Sequence, residues 1–183
     1  MPIGSYAIMP IIVNELIKRR AGSVLDLGCG LGIYGAAIRQ WCETDCFRRS
    51  IRIIGIEGFD GYRNPNWEHY DDVIVDDIRQ VCDRLNEKFA AILMLDVIEH
   101  FDKAEGEGLL KKYMNKLNDK GIMLVSTPAV FCEQGAVYDN DLEIHRSLWT
   151  VEDFVNNGFQ ILKNGEKDNF GHLMLVAMHI NLN

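Results

Sequence analysis

The sequence of 183 residues has the length of one compact domain, and a domain of this size can bury a core without disulfide bonds. Its 48% hydrophobic and 25% charged residues are ordinary values for a globular protein. The formal net charge of −8 argues against general binding to the nucleic-acid backbone, which requires a basic surface.

The five cysteines are an odd number, and only Cys42 and Cys46 are close in sequence. No second pair with a nearby histidine completes a zinc site, so we expect no metal ligands. Neither a signal peptide nor a long apolar segment is visible. We therefore expect reduced thiols and a soluble, cytoplasmic protein without a membrane span.

Helix-like and strand-like segments alternate along the chain, which predicts an α/β fold with a doubly wound, mostly parallel sheet. The predicted helices lie at 9–20, 33–42, 77–86 and 103–118. The predicted strands lie at 23–27, 51–57, 71–75, 89–96 and 120–127.

The last third of the chain has a different character. Residues 128–150 lack clear periodicity and mix aromatic, acidic and basic side chains, as active-site lids and simple insertions both do. Thr150 before Glu152 and Asp153 predicts a capped helix that stops at Gly158. Residues 160–180 predict two antiparallel strands around a polar turn.

Three glycines, Gly28, Gly30 and Gly32, follow the first predicted strand. Such a turn between a strand and a helix places backbone N–H groups beside a ligand. The lysine and the Ser/Thr pair of a phosphate-binding loop are absent. A dinucleotide fingerprint would require glycine where Ile33 stands, which weakens that interpretation.

The spacing from Asp26 through Gly28 and Gly30 to Gly32 resembles the first motif of class I S-adenosylmethionine-dependent methyltransferases. The resemblance continues in order at the next three strand ends and covers Val24 to about Ser126. It implies a Rossmann-like class I methyltransferase fold and S-adenosylmethionine as the cofactor.

The resemblance also implies roles for the strand-end residues. Glu57 would take both ribose hydroxyls, as a carboxylate can. Asp77 would lie near the adenine amino group and Ile78 against the ring, with Asp76 as the alternative in register. The implied cofactor-binding set is Asp26, Gly28, Cys29, Gly30, Gly32, Glu57, Asp76, Asp77, Ile78, Leu95 and Asp96.

Simpler structural roles exist for the same residues. The carboxylate of Asp26 could accept hydrogen bonds from neighbouring backbone amides, and Glu57 could cap a turn. Cys29 could be present only because the glycine turn needs a small side chain there. Four acidic strand ends in order nevertheless favour ligand binding. The sulfonium of the cofactor makes its methyl group electrophilic, so holding donor and acceptor in line suffices and no metal or covalent nucleophile is required.

The acceptor side is less clearly defined. His100, after Glu99, is either a general base for a hydroxyl or amine acceptor or a structural histidine. His145 is a second candidate base. Arg146 either clamps an anionic acceptor or pairs with nearby carboxylates to hold the loop.

Three aromatic residues complete the acceptor-side candidates. Tyr138 and Trp149 either line an acceptor pocket or pack as anchors. Tyr6, near the N-terminus, is expected to cover the cofactor.

We expect one methyltransferase domain over 1–183, with an N-terminal helix in 1–22, the cofactor-binding core in 23–126 and the acceptor side in 127–183. The expected reaction is methyl transfer to an O or N atom of a small molecule, with sugar-linked and lipid-linked molecules among the candidates. The alternatives are a nicotinamide-dependent oxidoreductase and a catalytically inactive S-adenosylmethionine-binding protein.

Overall fold

A computed structural model describes residues 5–43 and 48–182 of the chain. The helices in these ranges are α1 Met9–Arg19, α2 Ile33–Trp41, α3 Ile78–Arg84, α4 Lys103–Met114 and α5 Val151–Asn156. The strands are β1 Ser23–Leu27, β2 Arg52–Glu57, β3 Asp72–Val75, β4 Phe89–Leu95, β5 Leu117–Pro128, β6 Gln160–Lys167 and β7 Leu173–Ile180.

The strands form one seven-stranded sheet in the order β3-β2-β1-β4-β5-β7-β6. Strands β1 to β5 pair in parallel, whereas β7 pairs antiparallel with both β5 and β6. The predicted doubly wound sheet with an antiparallel C-terminal pair is therefore confirmed. Strand order reverses between β1 and β4, and the carboxyl ends of the strands on either side of such a point form a binding crevice.

Alternation along the strands divides the core between the two faces of the sheet. Leu25 and Leu27 face a cluster that α3, α4 and α5 cover, while Val24 faces a cluster that α1 and α2 cover. Burial on both faces explains why the parallel strands are nearly continuous apolar runs.

The largest difference from the predicted boundaries lies between α4 and β5. The helix was expected to reach residue 118, but it ends at Met114 with Asn115 as its cap. Leu117 is instead fully buried and begins β5 by pairing with Phe89. A helical pattern ending in polar residues gave no signal for this earlier change to extended backbone.

Four cysteines in the described ranges are free, namely Cys29, Cys42, Cys82 and Cys132. Cys46 lies outside the described residues, so its expected reduced thiol stays a prediction. None of the helices in residues 5–43 and 48–182 has the length and apolar content needed to cross a membrane.

Two glycines of α4 provide a matched test of the packing. A methyl group on Gly106 would lie 2.5 Å from Cζ2 of the buried Trp149, whereas one on Gly108 would meet nothing within 4 Å. We expect Gly106→Ala to lower the free energy of unfolding by about 1–3 kcal/mol. Gly108→Ala should raise it by about 0.5–1 kcal/mol, since alanine favours the helix. Urea unfolding of the two variants checks this, and equal effects would contradict the packing of Trp149.

Candidate active site

The glycine turn follows β1 and forms one wall of a crevice at the carboxyl end of the sheet. Gly28, Gly30 and Gly32 have φ angles of 68°, 52° and 77°, which other residues rarely adopt. A methyl group on Gly28 would also lie 2.6 Å from a side-chain carbon of Val97. The sequence therefore requires glycine here for both conformation and close packing.

Glu57, the last residue of β2, fixes this turn. Its Oε2 accepts a 2.8 Å hydrogen bond from the Gly30 N–H, and its Oε1 accepts one of 3.0 Å from the Phe59 N–H. The Trp67 indole N–H donates to the Gly30 carbonyl at 2.8 Å. Burial raises the pKa of Glu57, although these two backbone amides act in the opposite direction.

Asp26 lies in β1 within a chain of buried hydrogen bonds. The Tyr70 hydroxyl donates to Asp26 Oδ2 at 2.6 Å and accepts from the Gly35 N–H at 3.0 Å. Gly35 allows this approach because a methyl group there would lie 2.2 Å from the Tyr70 ring. Burial raises the pKa of Asp26 to about 7, opposed by the Tyr70 hydrogen bond and reinforced by the charge of Glu57.

Asp77 caps α3, since its side chain accepts a hydrogen bond from the Arg79 N–H, and it lines the crevice with Ile78. The neighbouring Asp76 turns away and pairs with Arg84. The structure thus separates the two aspartates that the sequence left as alternatives: only Asp77 lines the cavity.

Asp96 follows β4 in a left-handed conformation, with φ 56°. Its Oδ1 accepts from the Ser126 hydroxyl at 2.5 Å, and its Oδ2 accepts from the Ser5 N–H at 2.9 Å. Burial raises the pKa of Asp96, although these bonds act in the opposite direction. The backbone of Ser5 therefore lies beside Asp96 at this end of the crevice.

These side chains surround a cavity of about 270 Å³. Most of the predicted cofactor-binding residues line it, whereas Gly32 and Asp76 do not. The predicted residues in the lining are Asp26, Gly28, Cys29, Gly30, Glu57, Asp77, Ile78, Leu95, Asp96, His100 and Arg146.

The thiol of Cys29 is 7% exposed, and burial together with the charges of Asp26 and Glu57 raises its pKa. A protonated, buried thiol is a poor nucleophile. This environment fits the small-side-chain role expected of Cys29.

The irregular segment after β5 covers the cavity from the side of β2. Asn140, Leu142, Glu143 and Arg146 line it. The Tyr62 hydroxyl donates to Glu143 Oε1 at 2.8 Å and anchors this segment. The segment is therefore placed as a cover over the cavity.

Arg146 holds this cover through backbone carbonyls. Its guanidinium donates to the carbonyl oxygens of His100 at 2.8 Å, Ile144 at 3.0 Å and Asp141 at 3.0 Å. The expected pairing with the side chains of Asp139, Asp141 and Glu143 is corrected accordingly. The loop-holding role is present, but its partners are carbonyls that a sequence pattern does not reveal.

His100, His145 and Glu99 come together beside the cavity. The two rings have centroids 5.0 Å apart, and a Glu99 oxygen and one nitrogen of each ring lie within 4.8 Å of one another. Burial and the neighbouring His145 lower the pKa of His100 to about 4, and burial also lowers that of His145. Burial and the charge of Asp96 raise the pKa of Glu99 well above its usual range.

Three predicted acceptor-side aromatics lie elsewhere. Trp149 is fully buried and packs against Phe154 with centroids 5.5 Å apart, so packing is the role that the structure shows for it. Tyr138 is 72% exposed and does not line the cavity. Tyr6 is equally exposed and does not line the cavity, but it lines a groove that shares Ile33 and Tyr34 with it.

Sequence reasoning missed several polar residues at the site. Tyr70, which bonds to Asp26, comes just before β3, and Tyr62 lies in the loop after β2. Asn140 and Glu143 line the cavity, but in the sequence they stand among other acidic and amide residues. Only the position of the two tyrosines in the connection between β2 and β3 offered a weak signal.

The raised pKa of Asp26 predicts a measurable pH dependence. Its titratable neighbours are Tyr70, Glu57, Cys29 and Tyr34. Because the folded state keeps this proton up to about pH 7, unlike the unfolded chain, Asp26 lowers the free energy of unfolding as the pH rises from 4 to 7. Between pH 5 and pH 8 the effect should be about 2.6 kcal/mol.

Asp26→Asn mimics the neutral carboxyl group and should remove this contribution. Urea unfolding at pH 5 and pH 8 should therefore show a smaller decrease for the variant than for the wild type. The exposed Asp119→Asn serves as the control. An unchanged decrease in Asp26→Asn would show that Asp26 is already ionised in the folded protein.

Comparisons with known proteins agree with this geometry. A family model described as "Methyltransferase domain" matches residues 6–164. No curated protein sequence matches the chain.

Solved structures share the fold at low identity. The 1,6-didemethyltoxoflavin-N1-methyltransferase of Burkholderia thailandensis, with its substrate and S-adenosylhomocysteine bound, has a TM-score of 0.69 and 16% identity, over 98% of this chain and 80% of that one. The magnesium protoporphyrin IX methyltransferase of Synechocystis PCC 6803, with S-adenosylmethionine bound, has a TM-score of 0.62 and 16% identity. The match covers 93% of this chain and 77% of that one.

An O-methyltransferase family protein from Burkholderia thailandensis has a TM-score of 0.63 and 12% identity, over 94% of this chain. The match covers 55% of that protein, so the present chain spans little more than half its length. The family match covers most of the chain and agrees with the strand order, the glycine turn and the acidic strand ends. The chain therefore belongs to the methyltransferase-domain family, and the expected class I S-adenosylmethionine-dependent methyltransferase is confirmed.

Proposed function

We propose that the protein transfers the methyl group of S-adenosylmethionine to an oxygen or nitrogen atom of a small-molecule acceptor. The observation that carries this proposal is the placement of Asp26, Glu57, Asp77 and Asp96 around the glycine turn in one cavity. Each comes from, or directly follows, a different parallel strand. A doubly wound sheet binds its ligands at these strand ends.

The contacts support a specific orientation of the cofactor. Each oxygen of Glu57 accepts one backbone N–H and keeps a further acceptor site for a ribose hydroxyl. Asp77 and Ile78 would take the adenine at one end of the cavity. Asp26 and Asp96 would face the cationic methionine portion at the other end, where buried carboxylates attract positive charge.

Chemistry at this site depends mainly on position. The acceptor lone pair forms a bond to the methyl carbon, and the electron pair of the broken S–C bond returns to sulfur. The acceptor loses its proton to solvent, and the cofactor leaves as S-adenosylhomocysteine, whose sulfur is neutral. The protein holds the two reactants in line under the cover formed after β5. A general-base role for His100 or His145 stays a prediction.

The acceptor has room in a second cavity of about 470 Å³, which shares Asp96 and His100 with the first. A small molecule fits this arrangement, and the similar structure from Burkholderia thailandensis binds one, 1,6-didemethyltoxoflavin. Sugar-linked and lipid-linked acceptors stay among the candidates. The division into segments 1–22, 23–126 and 127–183 and the cytoplasmic location also stay proposals.

Calorimetry with S-adenosylhomocysteine tests the proposal against a nicotinamide cofactor. We expect binding at one site per chain and no change in NADH fluorescence on titration. Binding of NADH without binding of S-adenosylhomocysteine would overturn the assignment. Release of S-adenosylhomocysteine in a screen of acceptor classes would distinguish an active enzyme from an inactive binding protein.

The ribose contact predicts a loss of affinity in Glu57→Ala. Because charged hydrogen bonds to ribose would be lost, we expect binding of S-adenosylhomocysteine to weaken by about 1.5–3 kcal/mol, which is roughly 10- to 150-fold. Glu87→Ala, at an exposed ion pair with Arg52, is the control. Circular dichroism shows whether each variant is folded, and unchanged affinity in a folded Glu57→Ala protein would show that the residue is misassigned.

The two neighbouring aspartates give a second matched test. Asp77→Asn keeps an oxygen that can cap α3 but removes the charge that would face the adenine amino group. We expect it to weaken binding of S-adenosylhomocysteine by roughly 5- to 20-fold. Asp76→Asn should leave calorimetric affinity unchanged, since Asp76 pairs with Arg84 outside the cavity. The opposite result would make Asp76 the adenine contact.

A further inference from the structure

We propose that Glu99, His100 and His145 bind a divalent first-row transition-metal ion between the two cavities. The sequence predicts no such site, because His145 lies 45 positions after His100. The fold brings one donor atom of each residue within 4.8 Å of the others. The assignment rests on these donors and their surroundings.

Glu99 supplies the most direct evidence. Its side chain is 3% exposed, and its Oε2 has no hydrogen-bond partner among the described residues. The buried hydroxyl of Thr127 lies close enough to Glu99 to oppose the rise in its pKa, but it does not meet hydrogen-bond geometry with Oε2. A buried carboxylate oxygen without a partner is unfavourable. A cation would satisfy this oxygen, and the nearby charge of Asp96 strengthens the attraction.

Both histidines are oriented as metal ligands commonly are. The Nδ1 atom of His100 faces the Ile144 carbonyl at 3.3 Å, and that of His145 faces the Cys132 carbonyl at 2.6 Å. A carbonyl at Nδ1 requires the proton there, so the lone pair is on Nε2. In the described part of the chain neither Nε2 atom has a hydrogen-bond partner. Two neutral imidazoles and one buried carboxyl group are therefore available, and a bound cation would favour the ionised form of that carboxyl group.

The backbone around these donors is firmly held. The Glu99 carbonyl accepts N–H bonds from Arg146 at 2.8 Å and Ser147 at 3.1 Å, which connects His145 to the Glu99–His100 turn. Ligands around one ion at about 2.1 Å lie at most about 4.2 Å apart. A small side-chain rotation is thus enough to close the set around an ion.

The donor set indicates the class of ion. Two imidazole nitrogens and one carboxylate suit zinc, manganese, iron or cobalt better than magnesium or calcium. Three protein ligands leave coordination positions open. All three residues line the second cavity, and His100 also lines the first, so the open positions face the space between donor and acceptor.

Building on the proposed function, the ion would bind an acceptor hydroxyl and promote loss of its proton to solvent. The resulting oxygen lone pair would then attack the methyl carbon while the S–C electron pair returns to sulfur. The acceptor class is accordingly an oxygen nucleophile. Both histidines position the acceptor in this arrangement instead of taking its proton.

Titration of chelator-treated, full-length protein with CoCl₂, without cofactor or acceptor, tests the site. We expect one Co²⁺ per chain and visible absorption bands stronger than those of the aqueous ion. Glu99→Gln and His145→Ala should each weaken binding by at least about tenfold. His172→Ala is the matched control, because His172 lines the same cavity but pairs with Asp168.

A wild-type spectrum equal to that of the aqueous ion would overturn the proposal, even if the variants do not fold. The proposal would also be overturned if all folded variants bound Co²⁺ with equal affinity. Loss of Co²⁺ binding in His172→Ala alone would overturn it too. Calorimetry of the same samples with S-adenosylhomocysteine separates the two proposals. Binding of S-adenosylhomocysteine without binding of Co²⁺ would reject the metal site alone. Binding of Co²⁺ without binding of S-adenosylhomocysteine would reject the proposed function alone.

Discussion

The carboxylate of Glu57 connects the glycine turn to the end of β2, through bonds to the N–H groups of Gly30 and Phe59. Buried backbone N–H groups need hydrogen-bond acceptors, and the side chain of Glu57 supplies one to each of these two amides. Burial of the carboxylate is unfavourable by itself, and the amides compensate for part of this cost. One side chain thus shapes the turn and leaves acceptor sites directed at a ligand.

The other acidic strand ends follow the same principle with donors from distant segments. Asp26 depends on Tyr70, while Asp96 depends on Ser126 and on the backbone of Ser5. Burial raises the pKa of both carboxylates. A cationic ligand would favour the ionised forms of Asp26 and Asp96. Burial of these carboxylates is unfavourable in the absence of a ligand, but it makes the site well suited to a sulfonium nucleoside. The segment held by Arg146 covers the same region.

Much of this arrangement can be predicted from the sequence, because its signals are local. Alternating apolar segments give the strands and helices, and the acidic residues at strand ends need only the strand order to converge. Interactions between distant residues are different: Tyr62 and Glu143 are 81 positions apart, and Arg146 bonds to carbonyls that every residue possesses. The meeting of His145 with His100 likewise depends on the path of an aperiodic segment. Such contacts follow from the fold and have no pattern of their own.

A crystal structure of the protein with S-adenosylhomocysteine would show directly whether the acidic strand ends hold the cofactor. We expect the ribose hydroxyls within hydrogen-bond distance of Glu57, the adenine between Asp77 and Ile78, and the sulfur directed towards Asp96 and His100. The glycine turn should keep its present conformation, since Glu57 already holds it. A ligand bound outside this cavity, or a ribose turned away from Glu57, would contradict this assignment.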